Sequence, residues 1–128
     1  MSSRPTTTLG LFNEKLVGFF EDLAASYPEE KDIKMALEAI QGARKINPRL
    51  VLDLFVENVS KPLRDDILAE DDVKVIAYAQ STINTTYNEM LSALMIFDKH
   101  WPAMSEVNRK AIWTYLKVLV LLSDRAKA

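Results

Sequence analysis

The chain has 128 residues, enough for one domain with a single core. A net charge of −2 gives no general attraction for nucleic acid or anionic lipid, and the absence of cysteine excludes disulfides, thiolate metal sites and cysteine nucleophiles. Three glycines are few for a protein of strands and hairpins, and the long periodic stretches rich in Leu, Ala, Lys and Glu point to an all-α fold.

Residues 1–8, MSSRPTTT, are polar and read as an N-terminal tail. They lack an apolar signal core, and the longest apolar run, VLVLL, is far short of the ~20 residues that span a bilayer, so the expectation is a soluble protein that is not secreted and has no membrane role. From Leu9 the pattern turns helical: Leu9, Phe12, Leu16, Phe19, Phe20 and Leu23 share one face, with Glu14, Glu21 and Asp22 opposite. Ser26 and Glu29 in SYPE have capping-box spacing around Pro28, which predicts that a second helix starts there and runs to about Ile46 on the stripe Ile33, Ala36, Leu37, Ile40 and Ala43.

Asn47 and Pro48 stop that helix and cap the next, residues 48–59, with Val51, Leu52, Phe55, Val56 and Val59 inward. Pro62 breaks it or restarts a short helix through Ile67. AEDDVKVIAYAQ predicts another short helix that buries Val73, Ile76 and Tyr78. STINTT, residues 81–86, reads as a loop, and Thr86 with Glu89 makes a second capping box. Met90, Leu94, Phe97 and Trp101 then fall along one helical face, Trp101-Pro102 ends that helix, and Ser105 caps the last one, which runs to about Ser123. The expected architecture is a single compact bundle of about five to seven helices over residues 9–124, with a largely buried C-terminal helix and a short tail over 125–128.

That last helix, NRKAIWTYLKVLVLL, is oily on too many sides. Lys110, Thr114, Lys117 and Asp124 form one polar seam, broken by Leu121. Ala111, Tyr115, Val118, Leu119 and Leu122 make a core face, and Ile112, Trp113, Leu116 and Val120 extend it well beyond the roughly 100° arc of an ordinary amphipathic helix. Either sibling helices cover the extension, or Ile112, Trp113, Leu116 and Val120 meet a second copy or another protein.

Common active-site chemistry is missing. The sole histidine, His100, reads as a helix-end or solvated side chain, and one histidine cannot assemble a transition-metal site. The acidic run from Asp65 to Asp72 lacks the pattern of a calcium loop, and no glycine-rich phosphate loop exists. The expectation is a non-enzyme without cofactors. Charge is uneven: residues 53–72 hold seven acidic and two basic side chains, and residues 99–128 hold six basic and two acidic ones. The six, Lys99, Arg109, Lys110, Lys117, Arg125 and Lys127, form a candidate phosphate-binding patch, so the alternative function is an accessory nucleic-acid binder.

Three segments, LFNEKLVGFFEDLAASYPEEKDIK, INPRLVLDLFVENVSKPLRDDIL and IFDKHWPAMSEVNRKAIWTYLKVLVLLS, together resemble a family of short all-helical proteins of nucleocytoplasmic large DNA viruses, the giant viruses of the marseillevirus or phycodnavirus kind. The resemblance covers most of residues 11–123 and rests on apolar, aromatic and helix-boundary positions. Relatives carry an aromatic pair after the acidic stretch, where this chain has Val73, Lys74 and Val75. The resemblance implies a viral protein in the virion or in the host cytoplasm or nucleus, and no catalytic residues. Together these readings give a protein that acts by protein–protein association, as a homodimer or with another viral protein.

Overall fold

The computed structural model describes residues 7–83, 94 and 96–126, and these are helical throughout apart from turns. α1 spans Thr8–Ser26, α2 Lys31–Ile46, α3 Pro48–Phe55, α4 Lys61–Leu68, α5 Asp72–Ile83 and α6 Glu106–Ala126. A π-helical turn, Val56–Ser60, joins α3 to α4 without a break, so the described α-helices build five rods. A second π turn, Ile96–His100, and a 3₁₀ turn, Trp101–Ala103, lead into α6.

Local chemistry sets several of these boundaries. The Thr7 hydroxyl accepts from the Gly10 amide, so α1 begins inside the stretch read as a tail. Asn47 caps α3, its side chain accepting from the Arg49 amide, with Pro48 in the first turn. Ser105 caps α6 through the Asn108 amide. The capping box expected at Ser26 and Glu29 does not form. Ser26 is the last residue of α1, and α2 starts only at Lys31, after Glu30, which makes no side-chain cap. The Glu30 side chain is turned inward to other partners instead. α6 continues to Ala126, two residues into the expected tail, where the Ala126 carbonyl accepts from Arg49 Nη1 at 3.3 Å.

Pro62 explains the π turn. It has no N–H to give to the carbonyl four residues back, that of Asn58, and this oxygen accepts the Tyr78 hydroxyl at 2.9 Å. The backbone widens just before the proline, the Lys61 amide reaching back five residues to Val56. The helix therefore bends its register and does not stop.

α5 differs from its sequence reading. Val75 and Ala79 are buried with Ile76 and Tyr78 beside them, whereas Val73 is 73% exposed, because the inward face is centred one step along the helix. The helix also takes in residues 81–83, expected in a loop; Thr86, Glu89 and Met90 lie outside the described residues. Leu94, Phe97 and Trp101 are all buried, as their spacing requires.

α1 packs against α2, α3 and α6, and α4 packs against α5 and α6. Between them lies a core that is aromatic at two points. Phe12 meets Phe55 edge-on at 5.2 Å, and Phe97, Trp101 and Trp113 form a trio with centroids 4.5–5.5 Å apart.

Candidate interaction surfaces

The four side chains singled out as an interface are interior. Ile112, Trp113, Leu116 and Val120 are 7, 6, 2 and 0% exposed, so together they form no surface that a second copy or another protein could cover. Phe97 and Trp101 cover Trp113, while Leu116 faces Leu16, Phe19, Phe55 and Leu94. The arc taken as an extension is thus the true core face, and Ala111, assigned to the core, is exposed. Helical periodicity gives the width of an apolar arc, but which edge faces inward depends on where the other helices lie. α6 buries this one broad face, with Val107 and Leu121 left outside.

The basic residues are not brought together as a free patch. Lys99 pairs with Glu30 at 3.3 Å. Arg109 donates to the Trp101 carbonyl at 2.7 Å and lies over the Trp101 ring, and Lys117 pairs with Glu70. Lys110 and Arg125 are exposed, and Lys127 lies outside the described residues. One pair joins the excess charges of the two segments, Lys117 with Glu70; Arg64 binds Asp124 through Nε and Nη2 at 2.9 and 2.8 Å with the signs the other way round, and Trp101 Nε1 donates to Asp72 at 3.1 Å. These contacts fasten α4 and the acidic turn to the C-terminal third of the chain.

One polar cluster escaped the sequence reading. Glu30, in the α1–α2 turn, is 8% exposed, and its carboxylate binds His100 Nε2 at 2.7 Å and Lys99 Nζ. Tyr27 stacks on the imidazole with centroids 4.2 Å apart. The bond from His100, joined by Lys99, holds the Glu30 carboxyl below its ordinary value against the opposing effect of burial. His100 ends the π turn, as its helix-end reading expects, but it is a cross-brace to the α1–α2 turn and not a solvated side chain. Among the described residues no hydroxyl nucleophile bonds to His100, and no group of three or more potential ligands could hold a metal ion. No helix there is long and apolar enough to cross a membrane.

The least expected exposure lies on α2. Its inner stripe, Ile33, Ala36 and Ile40, is buried. On the outer side Met35 is 61% and Ile46 88% exposed, with exposed Ala39 and Gly42 between them. A Cβ built on Gly42 would meet nothing within 4 Å. These four positions advance by four, three and four residues, the spacing of a helix–helix seam. Glu38 and Lys45 flank the stripe, are exposed, and make no ion pair among the described residues.

A second feature is an open groove of about 110 Å³ between α1 and α6, walled by Phe19, Tyr27 and Tyr115, with Asp22 accepting the Tyr115 hydroxyl at 2.6 Å. That bond, then burial, then the charges of Asp22 and Glu21 push the Tyr115 phenol up to about 12.

No family model matches the chain, and no match is found among curated proteins or solved structures.

Proposed function

We propose that this protein works by association, without catalysis, and that its first partner is a second copy of itself joined through the outer face of α2. The observation that carries the reading is the exposed row Met35, Ala39, Gly42 and Ile46. Isolated apolar side chains on a surface are ordinary, but four in seam spacing on one helix, with small residues at the centre, suit close approach of another helix.

Charge selects the orientation. Two α2 helices crossing antiparallel about a two-fold axis between Ala39 and Gly42 put Met35 opposite the partner's Ile46. They also bring Glu38 within about 3 Å of the level of the partner's Lys45, an offset of two residues at the helical rise. The contact is made twice by symmetry. Parallel pairing would put Glu38 and the partner's Lys45 on opposite sides of the seam and lose it.

The sequence resemblance supplies the setting: a giant-virus protein, packaged in the particle or acting in the infected cell. The nucleic-acid reading has less support, since Lys99, Arg109 and Lys117 already serve partners within the chain. Sedimentation of the wild type and of the Met35→Glu, Ile46→Glu double variant tests association. We expect a concentration-dependent dimer that the variant abolishes without changing its helical content. A wild type that stays monomeric at every attainable concentration overturns the reading.

A further inference from the structure

We propose that the α1–α6 groove is a docking pocket for one basic side chain, lysine or arginine, presented by a partner polypeptide. This goes beyond self-association through α2 and does not depend on it. The walls are aromatic and the charge is negative: Phe19 and Tyr115 lie 5.1 Å apart at a 37° tilt, Tyr27 adds a third ring, and Asp22 sits among them. Met104 and Ile112 complete an apolar lining. Ring faces attract a cation through their quadrupoles, and an apolar lining suits the methylene stem that carries it.

Asp22 is exposed, and its one partner among the described residues is a neutral phenol, which fixes the carboxylate without neutralising it. Glu21 next to it is also without an ion pair among the described residues. Carboxylates stand by both tyrosines: Asp22 and Glu21 by Tyr115, and Glu29 by Tyr27, whose ring also stacks on His100. Asp22 has no cation beside it among the described residues, so the groove keeps a negative charge that a cation from outside can meet. An acidic ligand would be repelled. The volume suits a single side chain, and the rest of the ligand stays outside, where Ser26 and Asn108 in the lining offer a hydroxyl and an amide to its backbone. That arrangement favours a polypeptide-borne cation over a free amine.

The test is a titration of the isotope-labelled protein followed by amide resonances, using N-acetyl-lysine methylamide, its uncharged norleucine analogue and butylammonium. The lysine compound should give saturable shifts centred on Ser26, Tyr27, Asn108 and Tyr115, and bind about tenfold tighter than the norleucine analogue. Asp22→Asn, which retains an acceptor for Tyr115, should remove that preference. Asn108→Lys, which puts a resident cation in the lining, should block binding and leaves Asp22 in place, so it decides the matter if Asp22→Asn fails to fold. Equal binding of the norleucine analogue, unchanged binding to Asn108→Lys, or no localised shift up to the solubility limit overturns the proposal. Equal binding of butylammonium overturns its polypeptide part.

Discussion

Tyr78 donates its hydroxyl to the carbonyl oxygen of Asn58 at 2.9 Å, the oxygen that Pro62 cannot serve. A bond from α5 thus meets a need created by a proline in a neighbouring rod. Removing the hydroxyl in Tyr78→Phe should cost about 1 kcal/mol of folding stability. In a Pro62→Ala background, where a backbone amide is again available, the same change should cost less. Denaturant titration of the four proteins in a double-mutant cycle measures the difference.

Trp113 lies in the interior trio, 5.5 Å from Phe97 and 5.4 Å from Trp101. Trp113→Ala should lower stability by about 3–5 kcal/mol, the usual loss for a buried indole. Trp113→Asp should abolish cooperative unfolding altogether, since it adds a buried charge to the cavity. Circular dichroism during heating distinguishes this from a folded monomer released from a dimer.

Gly42→Ala should move two properties in opposite directions. With open space around the new methyl, the isolated chain should gain about 0.5–1 kcal/mol, the difference between the two residues inside a helix. Self-association should weaken, because the methyl stands at the proposed point of closest approach. Denaturation at low protein concentration reads the first and sedimentation the second.

Two ionisations shape the pH range of stability. The folded-state value of Glu30 is lowered from 4.5, so the stability it contributes is complete above that value and is lost as the pH falls through the lowered one. Glu30→Gln should therefore flatten the acid limb of the stability curve. The Tyr115 value is raised from 10.0 to about 12, so its contribution is complete below pH 10.0 and is lost as the pH rises towards about 12. Phenolate absorbance should show Tyr115 titrating towards about 12, and Asp22→Asn should bring it back towards the ordinary value.

Features written in neighbouring residues were legible in the sequence. The Asn47 and Ser105 caps, the Ile33, Ala36 and Ile40 stripe, and the end of α2 at Ile46 follow from spacing within a few positions. What failed depended on distant partners. SYPE has the form of a capping box, yet Glu30 beside it is held by His100, 70 residues away, and Tyr27 stacks on that imidazole. The excess of apolar surface on α6 was visible, but not which helices cover it.

The surface proposed for association was hidden by a different effect. The outer row of α2 contains only two large apolar residues, Met35 and Ile46, separated by residues too small to stand out as hydrophobic. The signal was present in the second, weaker periodicity of a helix whose stronger stripe had already been assigned to the core.

The widened turn at Val56–Ser60 acts as a phase adjuster for the second half of its rod. Val51, Leu52 and Phe55 before it and Val59, Leu63 and Ile67 from its end onward all reach the interior. The π turn takes in one residue more than an α turn and keeps both halves aimed at the same core. Deleting one position there should leave an ordinary α turn with the two halves still in phase, whereas adding one should swing Leu63 and Ile67 toward water. The rod should therefore accept the loss of one residue at this turn far better than a gain.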